Sequence, residues 1–297
     1  MRIIVKASLV VLAALLAWSP FAMAQRPGLE IPLVTPGPGW KTCARCENDA
    51  HVDDERKKAD VDNRKFDPHD LSGVWGDVVG TRKAFTSQAG PIDLDAKTLP
   101  PLTPYGQKLH DATKSAVGPE GVVEANSNDP MVICDPLGWP REFVYNYGVE
   151  FVQTPGRVFE FVEWGHTWRT IWTDGRKLPD DPPVQRFEGY AIGHWEGDEF
   201  VVESSGFDPR SWVSSDRGQY GFPHSADMKV TERYKRISYG VLQETMTIND
   251  PKVYTKPWTT AGTALLQPGA EIGEYFCVPS ESINFNEKQT KPSVGLE

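Results

Sequence analysis

The chain has 297 residues, of which 41 are acidic and 31 are basic, and its formal net charge at pH 7 is −10. This acidic balance argues against nucleic acid or an anionic membrane surface as a partner. The length suits one large domain or two small ones.

Residues 1–24 have the pattern of an export signal. Two basic residues precede an apolar stretch at 7–18, and a small-x-small cleavage site ends at Ala24. The apolar stretch is shorter than a comfortable membrane span. We therefore expect residues 1–24 to be removed from an exported protein, periplasmic or secreted, with no membrane insertion.

Residues 25–70 are expected to form an extended, loosely ordered N-terminal arm. The part at 25–40 is rich in Pro and Gly, and the part at 41–70 is dense in charge, with few apolar residues and no clear period. A charged arm can also capture another protein. A partner-binding scaffold that uses residues 41–70 is therefore one function that the sequence leaves open.

Four cysteines stand at positions 43, 46, 134 and 277. An exported protein meets an oxidising compartment, where disulfides form, and four cysteines allow three pairings. The most economical pairing joins the first two cysteines to each other and Cys134 to Cys277. A zinc site built from the first two cysteines with His51 and His69 is the alternative, but its spacing fits no standard finger. The sequence thus favours disulfides and predicts no metal and no cofactor.

A β-barrel domain is predicted for residues 71–297, with a helix-containing insertion at 80–142. The first strand is expected at LSGVWG. Within the insertion, residues 102–116 have helical spacing, Thr103 can cap the helix, and Pro104 suits the first helical position. We expect this to be the one short helix of the domain.

From about residue 143 onward, apolar and polar residues alternate with the period of a half-buried strand. Glycine-containing turns separate the runs, which is typical of hairpins. Strands are expected at VEFVQT, RVFEFVEW, TWRTIWT, EGYAIGHW, EFVVESS, DMKVTERYKRI and VLQETMTI, and EIGEYFCV is a further segment that can pair or close the structure. About eight to ten antiparallel strands with short turns predict a mainly β fold, an up-and-down barrel.

Alternation also assigns side chains to the faces of these strands. Glu232 shares the apolar face of its strand with Tyr234, and Glu244 lies on the apolar face of the next strand. Two inward carboxylates are unexpected, because a buried unpaired charge costs several kcal/mol. Either they pair with an inward arginine such as Arg169 or Arg236, or they line a cavity and act on a ligand.

The candidate site residues follow from the second interpretation. A glutamate in apolar surroundings can have a raised pKa and act as an acid, and His224, in the loop GQYGFPHSAD, can act as a base. Glu232, Glu244 and His224 are therefore the candidate catalytic residues. Aromatic residues make up 11% of the chain, and aromatic walls with a few polar groups are typical of a small-molecule pocket. The candidate ligand-binding residues are Arg141, His166, Trp168, Arg169, Trp172, His194 and Tyr234, with the arginines as anion clamps.

The stretch Gly73-Val74-Trp75 resembles the Gly-x-Trp signature in the first strand of lipocalin-like (calycin) barrels. In that family the tryptophan plugs the closed end of the barrel and stacks against a basic residue of a late strand. The insertion at 80–142 is a departure from the family, whose second strand follows directly. The segments CDPLGWPRE, IWTDGR, GHWEGDEFVVESSGF, PHSADMKVTERY and TINDPKVYTKPW resemble a family of exported bacterial proteins over about 72–278, which implies the fold and export but no reaction.

These patterns predict an exported single-domain β-barrel that binds a small, largely apolar or aromatic molecule. The alternatives are a metal-independent acid/base enzyme on the same barrel (a hydratase, isomerase or lyase) and the partner-binding scaffold.

Overall fold

The computed structural model describes residues 64–76, 101–116, 121–144, 148–215, 221–273 and 276–290. The predicted export signal, the first two cysteines, most of the N-terminal arm and residues 77–100 of the insertion lie outside these ranges. The strands within them are β1 (Gly73–Trp75), β2 (Val149–Thr154), β3 (Arg157–Val162), β4 (Thr167–Trp172), β5 (Tyr190–Glu196), β6 (Glu199–Ser205), β7 (Trp212–Ser215), β8 (Gly221–Pro223), β9 (Lys229–Ser238), β10 (Val241–Asn249) and β11 (Trp258–Leu265).

In the described part of the chain, nine of the strands form one sheet in the order β1-β2-β3-β4-β5-β6-β9-β10-β11, and β7 pairs with β8 separately. The sheet curls until its first and last strands nearly meet. Trp75 bridges Leu266, and the amide of Gln267 donates to the carbonyl of Val74 at 2.8 Å. The predicted mainly β, barrel-like fold is confirmed, and most of its pairings are antiparallel.

Alternation along each strand builds the barrel interior. On β9, Val230, Glu232, Tyr234 and Arg236 are buried, while the residues between them are exposed or half-buried. On β10, Glu244 is one of the buried positions of an alternating strand. Apolar side chains from the same inner faces, including Phe151, Ile171, Phe200 and Leu242, form the core.

At the barrel end near β1, the contacts of Trp75 are compatible with those that the Gly-x-Trp signature implies. Trp75 is fully buried, and its Nε1 donates to the carbonyl of Leu71 at 2.7 Å. The guanidinium of Arg236, on the late strand β9, lies 5.3 Å from the centroid of the Trp75 ring. The same guanidinium donates to the carbonyls of Tyr239 and Asp70. A nearly closed barrel with this tryptophan–arginine contact is compatible with a lipocalin-like fold.

Strand β11 corrects the assignment of the C-terminal region. It was not expected, because WTTAGTAL buries few of its side chains and lacks a clear apolar alternation. The segment EIGEYFCV, which was expected to pair or close the structure, forms no strand in its described residues 271–273 and 276–278. Closure therefore comes from residues 265–267, next to β1.

The helices also differ in number from the expectation. Helix α1 (Pro104–Ala112) is confirmed, with Thr103 accepting from the Gly106 amide at 3.0 Å. Two further short helices lie in the described ranges, α2 (Arg141–Val144) and α3 (Pro279–Phe285). The predicted disulfide between Cys134 and Cys277 is present. None of the described helices is long and apolar enough to cross a membrane.

One pairing departs from the up-and-down pattern. Strands β4 and β5 run parallel and pair only through Ile171 with Ala191 and Trp172 with Ile192. A parallel neighbour requires a crossing connection instead of a tight hairpin, and residues 173–189 supply it. Within the described residues, positions 167–170 of β4 consequently have no strand partner on this side, and the barrel wall opens beside them.

Candidate functional site

A buried guanidinium forms the centre of the charged cluster inside the barrel. Arg169, which points inward from β4, donates through Nη1 to Oε1 of Glu232 at 3.0 Å and through Nη2 to the other oxygen of the same carboxylate. Its Nε donates to Glu160. The hydroxyl of Tyr234 donates to Glu232 at 2.7 Å and lies 3.2 Å from Glu160. All four residues are 4% exposed or less.

Trp139 covers this ion pair. The guanidinium carbon of Arg169 lies 3.5 Å from the Trp139 ring centroid, which is a close cation–π contact. The indole Nε1 donates to Oε1 of Glu232 at 2.9 Å. Because Trp139 itself is fully buried, it shields this side of the paired charges from water.

With Glu160 and Glu244, the interior holds more buried carboxyl groups than one arginine can neutralise. Burial raises the pKa of Glu160 to about 7, an effect larger than the opposing attraction of Arg169. Burial, reinforced by the charges of Glu232 and Glu160, raises the pKa of Glu244 well above its usual range. Oε1 of Glu244 has no hydrogen-bond partner within the described residues. Burial without a hydrogen-bond partner for this oxygen therefore favours the protonated form of Glu244.

Glu142 and Glu188 form an acid pair at the side of the cluster. Glu142 lies on α2, and its Oε2 accepts from the Thr167 hydroxyl at 2.6 Å. The carboxyl of Glu188 is hydrogen-bonded to that of Glu142. Burial raises the pKa of Glu142 to about 7, and burial followed by the charge of Glu142 raises the pKa of Glu188 well above its usual range. Glu188 is thus the protonated member, and it donates to Glu142.

A cleft with a volume of about 440 Å³ reaches the acid pair from outside. It lies in the opening of the barrel wall, between β4 and residues 186–191, and we call it the wall cleft. Its lining comprises Pro136, His166, Thr167, Trp168, Arg169, Thr170, Trp172, Arg186, Phe187, Glu188, Gly189, Tyr190 and Ala191. Through Glu188 and Arg169, the wall cleft connects the solvent to the buried carboxyl groups.

The wall cleft brings together four of the predicted ligand-binding residues, namely His166, Trp168, Arg169 and Trp172. Trp168 points outward and is 60% exposed, so the tryptophans of β4 form the outer wall of the cleft instead of the barrel interior. Tyr234 lies in the interior cluster. His194 is on the outer surface at the far end of β5, where its Nε2 lies 3.1 Å from Glu196.

Arg141 and His224 make no hydrogen bond to the described residues of the cluster and do not line the wall cleft. Arg141 is completely buried and makes two hydrogen bonds to Asp129, at 2.7 and 2.6 Å. His224 is also buried, with Nε2 2.8 Å from the hydroxyl of Ser211 and Nδ1 2.9 Å from the carbonyl of Ser225. Burial lowers the pKa of His224. Both residues have their polar atoms engaged by the protein, and their predicted roles in anion binding and catalysis stay predictions.

Four functional candidates were missed by sequence reasoning: Trp139, Glu142, Glu160 and Glu188. Glu160 could have been predicted from the same alternation as Glu232, because it alternates with buried valines in RVFEFV. The other three lie outside regular strands, where no period marks an inward side chain. Within the described ranges, no group of three or more His, Cys, Asp or Glu residues is arranged to hold a metal ion.

Comparisons with protein-family models, with curated proteins and with solved structures found no match to this chain. The functional interpretation therefore depends on the geometry and chemistry of the wall cleft and the carboxyl groups behind it.

Proposed function

We propose that this protein binds a small, largely apolar or aromatic molecule in the wall cleft. The observation that carries the proposal is an opening of about 440 Å³ in the barrel wall, lined by the rings of Trp168, Trp172, Phe187 and Tyr190. Ligand pockets commonly have volumes of about 300–1,000 Å³ and combine aromatic walls with a few polar groups. The inner face of the barrel carries packed side chains and ion pairs, which favours a ligand position in the wall over one along the barrel axis.

Export and membership of a group of exported bacterial proteins are further proposals. Their support is the signal pattern at 1–24 and the resemblance over about 72–278. The scaffold function of the arm at 41–70 remains a less favoured proposal. The structure describes residues 64–70 of that arm. There, His69 stacks on Trp195 with ring centroids 4.1 Å apart, and the Asp70 carbonyl accepts from Arg236. These residues therefore already contact the barrel.

The binding proposal predicts a loss of affinity when the outer wall is truncated. A neutral fluorescent probe, N-phenyl-1-naphthylamine, is expected to bind with increased emission. Trp168→Ala should weaken its binding at least 10-fold, because this ring supplies exposed apolar wall area. The measurement is a fluorescence titration at pH 7.

Tyr105→Ala is the matched control, since Tyr105 is a similarly exposed aromatic residue on α1 that does not line the cleft. It should leave the affinity within about twofold of the wild type. An equal loss in both variants, or no binding by the wild type, contradicts a ligand site at the wall cleft.

A second candidate function is acid/base catalysis on the bound molecule, as in an isomerase or lyase. The observation that favours it is the acid pair at the cleft floor, in which Glu188 holds a proton next to Glu142. A general acid works best when its pKa lies near the operating pH. A carboxyl group in this position can give a proton to a carbonyl oxygen while its neighbour accepts one.

The catalytic candidate predicts hydrogen–deuterium exchange next to a carbonyl group. With 2-tetralone in D₂O, the wild type should accelerate exchange of the α-protons, as followed by NMR. Glu188→Gln keeps the size of the side chain but removes its transferable proton, so it should reduce the enzymatic exchange rate at least 100-fold. Probe binding should remain within threefold of the wild type. Exchange no faster than in buffer refutes this chemistry and leaves the binding proposal intact.

A further inference from the structure

We propose that the ligand of the wall cleft is an uncharged aromatic molecule with a hydroxyl group, and that Glu188 and His166 recognise that hydroxyl. This inference depends on the proposed binding function, because it names the class of molecule that the same cleft takes.

Two polar atoms of the cleft lining are buried and lack hydrogen-bond partners within the described residues: Oε1 of Glu188 and Nε2 of His166. An unsatisfied buried polar atom costs about 1–3 kcal/mol. Native structures therefore pair almost all such atoms. Two of them in one aromatic-walled cleft indicate a ligand whose own polar groups meet them.

His166 is held in place for such a contact. Its backbone has φ = 51°, in the left-handed region that non-glycine residues seldom adopt. Its ring stacks on Phe276, with centroids 4.4 Å apart and an interplanar angle of 17°. Phe276 precedes Cys277, which the disulfide ties to Cys134. The turn between β3 and β4 accounts for this backbone angle, since the preceding Gly165 also has a positive φ of 65° and hairpin turns favour positive φ at their central residues. The stack on Phe276, next to a cross-linked cysteine, fixes the position of the ring.

Glu188 selects a hydroxyl group as its partner. Burial and the neighbouring Glu142 raise the pKa of Glu188 well above its usual range, which favours the protonated form. Because the proton of Glu188 is donated to Glu142, the Glu188 oxygen that lacks a partner is an acceptor, and a ligand hydroxyl can donate to it. The same hydroxyl group can meet Nε2 of His166, since an imidazole nitrogen donates or accepts according to its tautomer.

The surroundings disfavour a charged ligand of either sign. An anion at the cleft floor would meet the Glu142–Glu188 acid pair. A cation would meet aromatic rings that already make cation–π contacts, since Arg176 lies 3.5 Å from the Trp172 centroid and Arg186 lies 4.2 Å from the Tyr190 centroid. Aromatic walls with hydrogen-bonding groups at the floor fit an uncharged, hydroxyl-bearing ring system.

The test compares three ligands of one size on the wild-type protein by equilibrium dialysis at pH 7: 2-naphthol, naphthalene and 2-naphthoate. We expect 2-naphthol to bind at least 10-fold more tightly than each of the other two. Equal affinity for naphthalene and 2-naphthol overturns this inference but keeps the proposed function. Tightest binding of 2-naphthoate overturns it in favour of an anionic ligand. If none of the three binds, the proposed function falls as well.

Two variants assign the preference to residues. Glu188→Met removes the acceptor oxygen with little change in size, and His166→Gly removes the imidazole at a backbone angle that glycine adopts freely. Each should reduce the preference for 2-naphthol over naphthalene to below threefold while leaving the affinity for naphthalene within threefold. Trp168→Ala should instead weaken both ligands by the same factor. An unchanged preference in both Glu188→Met and His166→Gly refutes the assigned contacts, whereas the wild-type comparison tests the ligand class even if a variant fails to fold.

Discussion

Replacing Arg169 by methionine is expected to lower the free energy of unfolding by about 3–5 kcal/mol, because removing one partner of a buried ion pair leaves the other uncompensated. Arg169 is 4% exposed and donates to both Glu160 and Glu232, which are fully buried. Methionine fills a comparable volume but cannot donate a hydrogen bond. Urea denaturation at pH 7, followed by far-UV circular dichroism, measures the change.

The matched control is Arg233→Met on the neighbouring outward face of β9. Arg233 pairs with Glu196 and Glu199 but is 42% exposed, and surface pairs contribute about 0–1 kcal/mol. Adding Glu232→Gln to Arg169→Met should recover part of the loss, because the second change removes the unpaired charge. Equal effects of Arg169→Met and Arg233→Met contradict the view that the interior cluster depends on its guanidinium.

The free energy of unfolding is expected to fall as the pH rises from about 5 to 8. In the unfolded chain a glutamate titrates near 4.5, whereas the folded protein raises the pKa of Glu142 and Glu160 to about 7. The folded state holds more protons between these values, so the stability present below pH 4.5 is lost as the pH rises through 7. Burial also raises the pKa values of Glu188 and Glu244, so these two acids add to the decline in the same sense.

Each such acid contributes a slope of about 1.4 kcal/mol per pH unit while it stays protonated only in the folded state. The buried His224 acts in the opposite sense below pH 6.5, because its lowered pKa makes it lose protons on folding. One such group offsets only one of the four acids. Exposed pairs such as Asp174 with Arg176 have a lowered carboxyl pKa and titrate below this window.

Glu244→Gln isolates the contribution of one acid. Because His224 contributes equally to the variant and to the wild type, its effect cancels when their unfolding free energies are subtracted. The slope of stability against pH should become shallower by about 1.4 kcal/mol per unit. Glu203→Gln, on the exposed outer face of β6, is the control and should leave the slope unchanged. Denaturant midpoints between pH 5 and 8 provide the measurement. Parallel curves for Glu244→Gln and the wild type refute a protonated Glu244 in the folded protein.

Much of the local structure was predictable because it depends on residues close in sequence. Period-two patterns identified β2 to β6, β9 and β10, and they placed Glu232 and Glu244 on the inner faces. The cap at Thr103 identified α1 in the same way. Strand β11 was not predicted because its threonine, alanine and glycine residues bury little apolar surface and show no alternation of apolar and polar residues.

The candidate site was predictable only in part. His166, Trp168, Arg169 and Trp172 were identified from one strand, and they line the wall cleft together. Glu142 and Glu188 were not, because they reach the site from a four-residue helix and from a connection without regular structure. Their acidity depends on burial and on each other, and neither property is visible in a stretch of polar residues.

The sequence by itself determined which side chains of each strand face inward, since alternation is a property of consecutive residues along an extended backbone. It also placed Glu232 and Glu244 on inner faces, where an ion pair with an inward arginine was one of the two expected outcomes. Only the tertiary structure decided that Arg169 pairs with Glu232, 63 residues away, and that the parallel pairing of β4 with β5 opens the barrel wall. Curling and closure of the sheet bring distant strands together, and the separations and burial that result determine which charges pair and which carboxyl groups keep their protons.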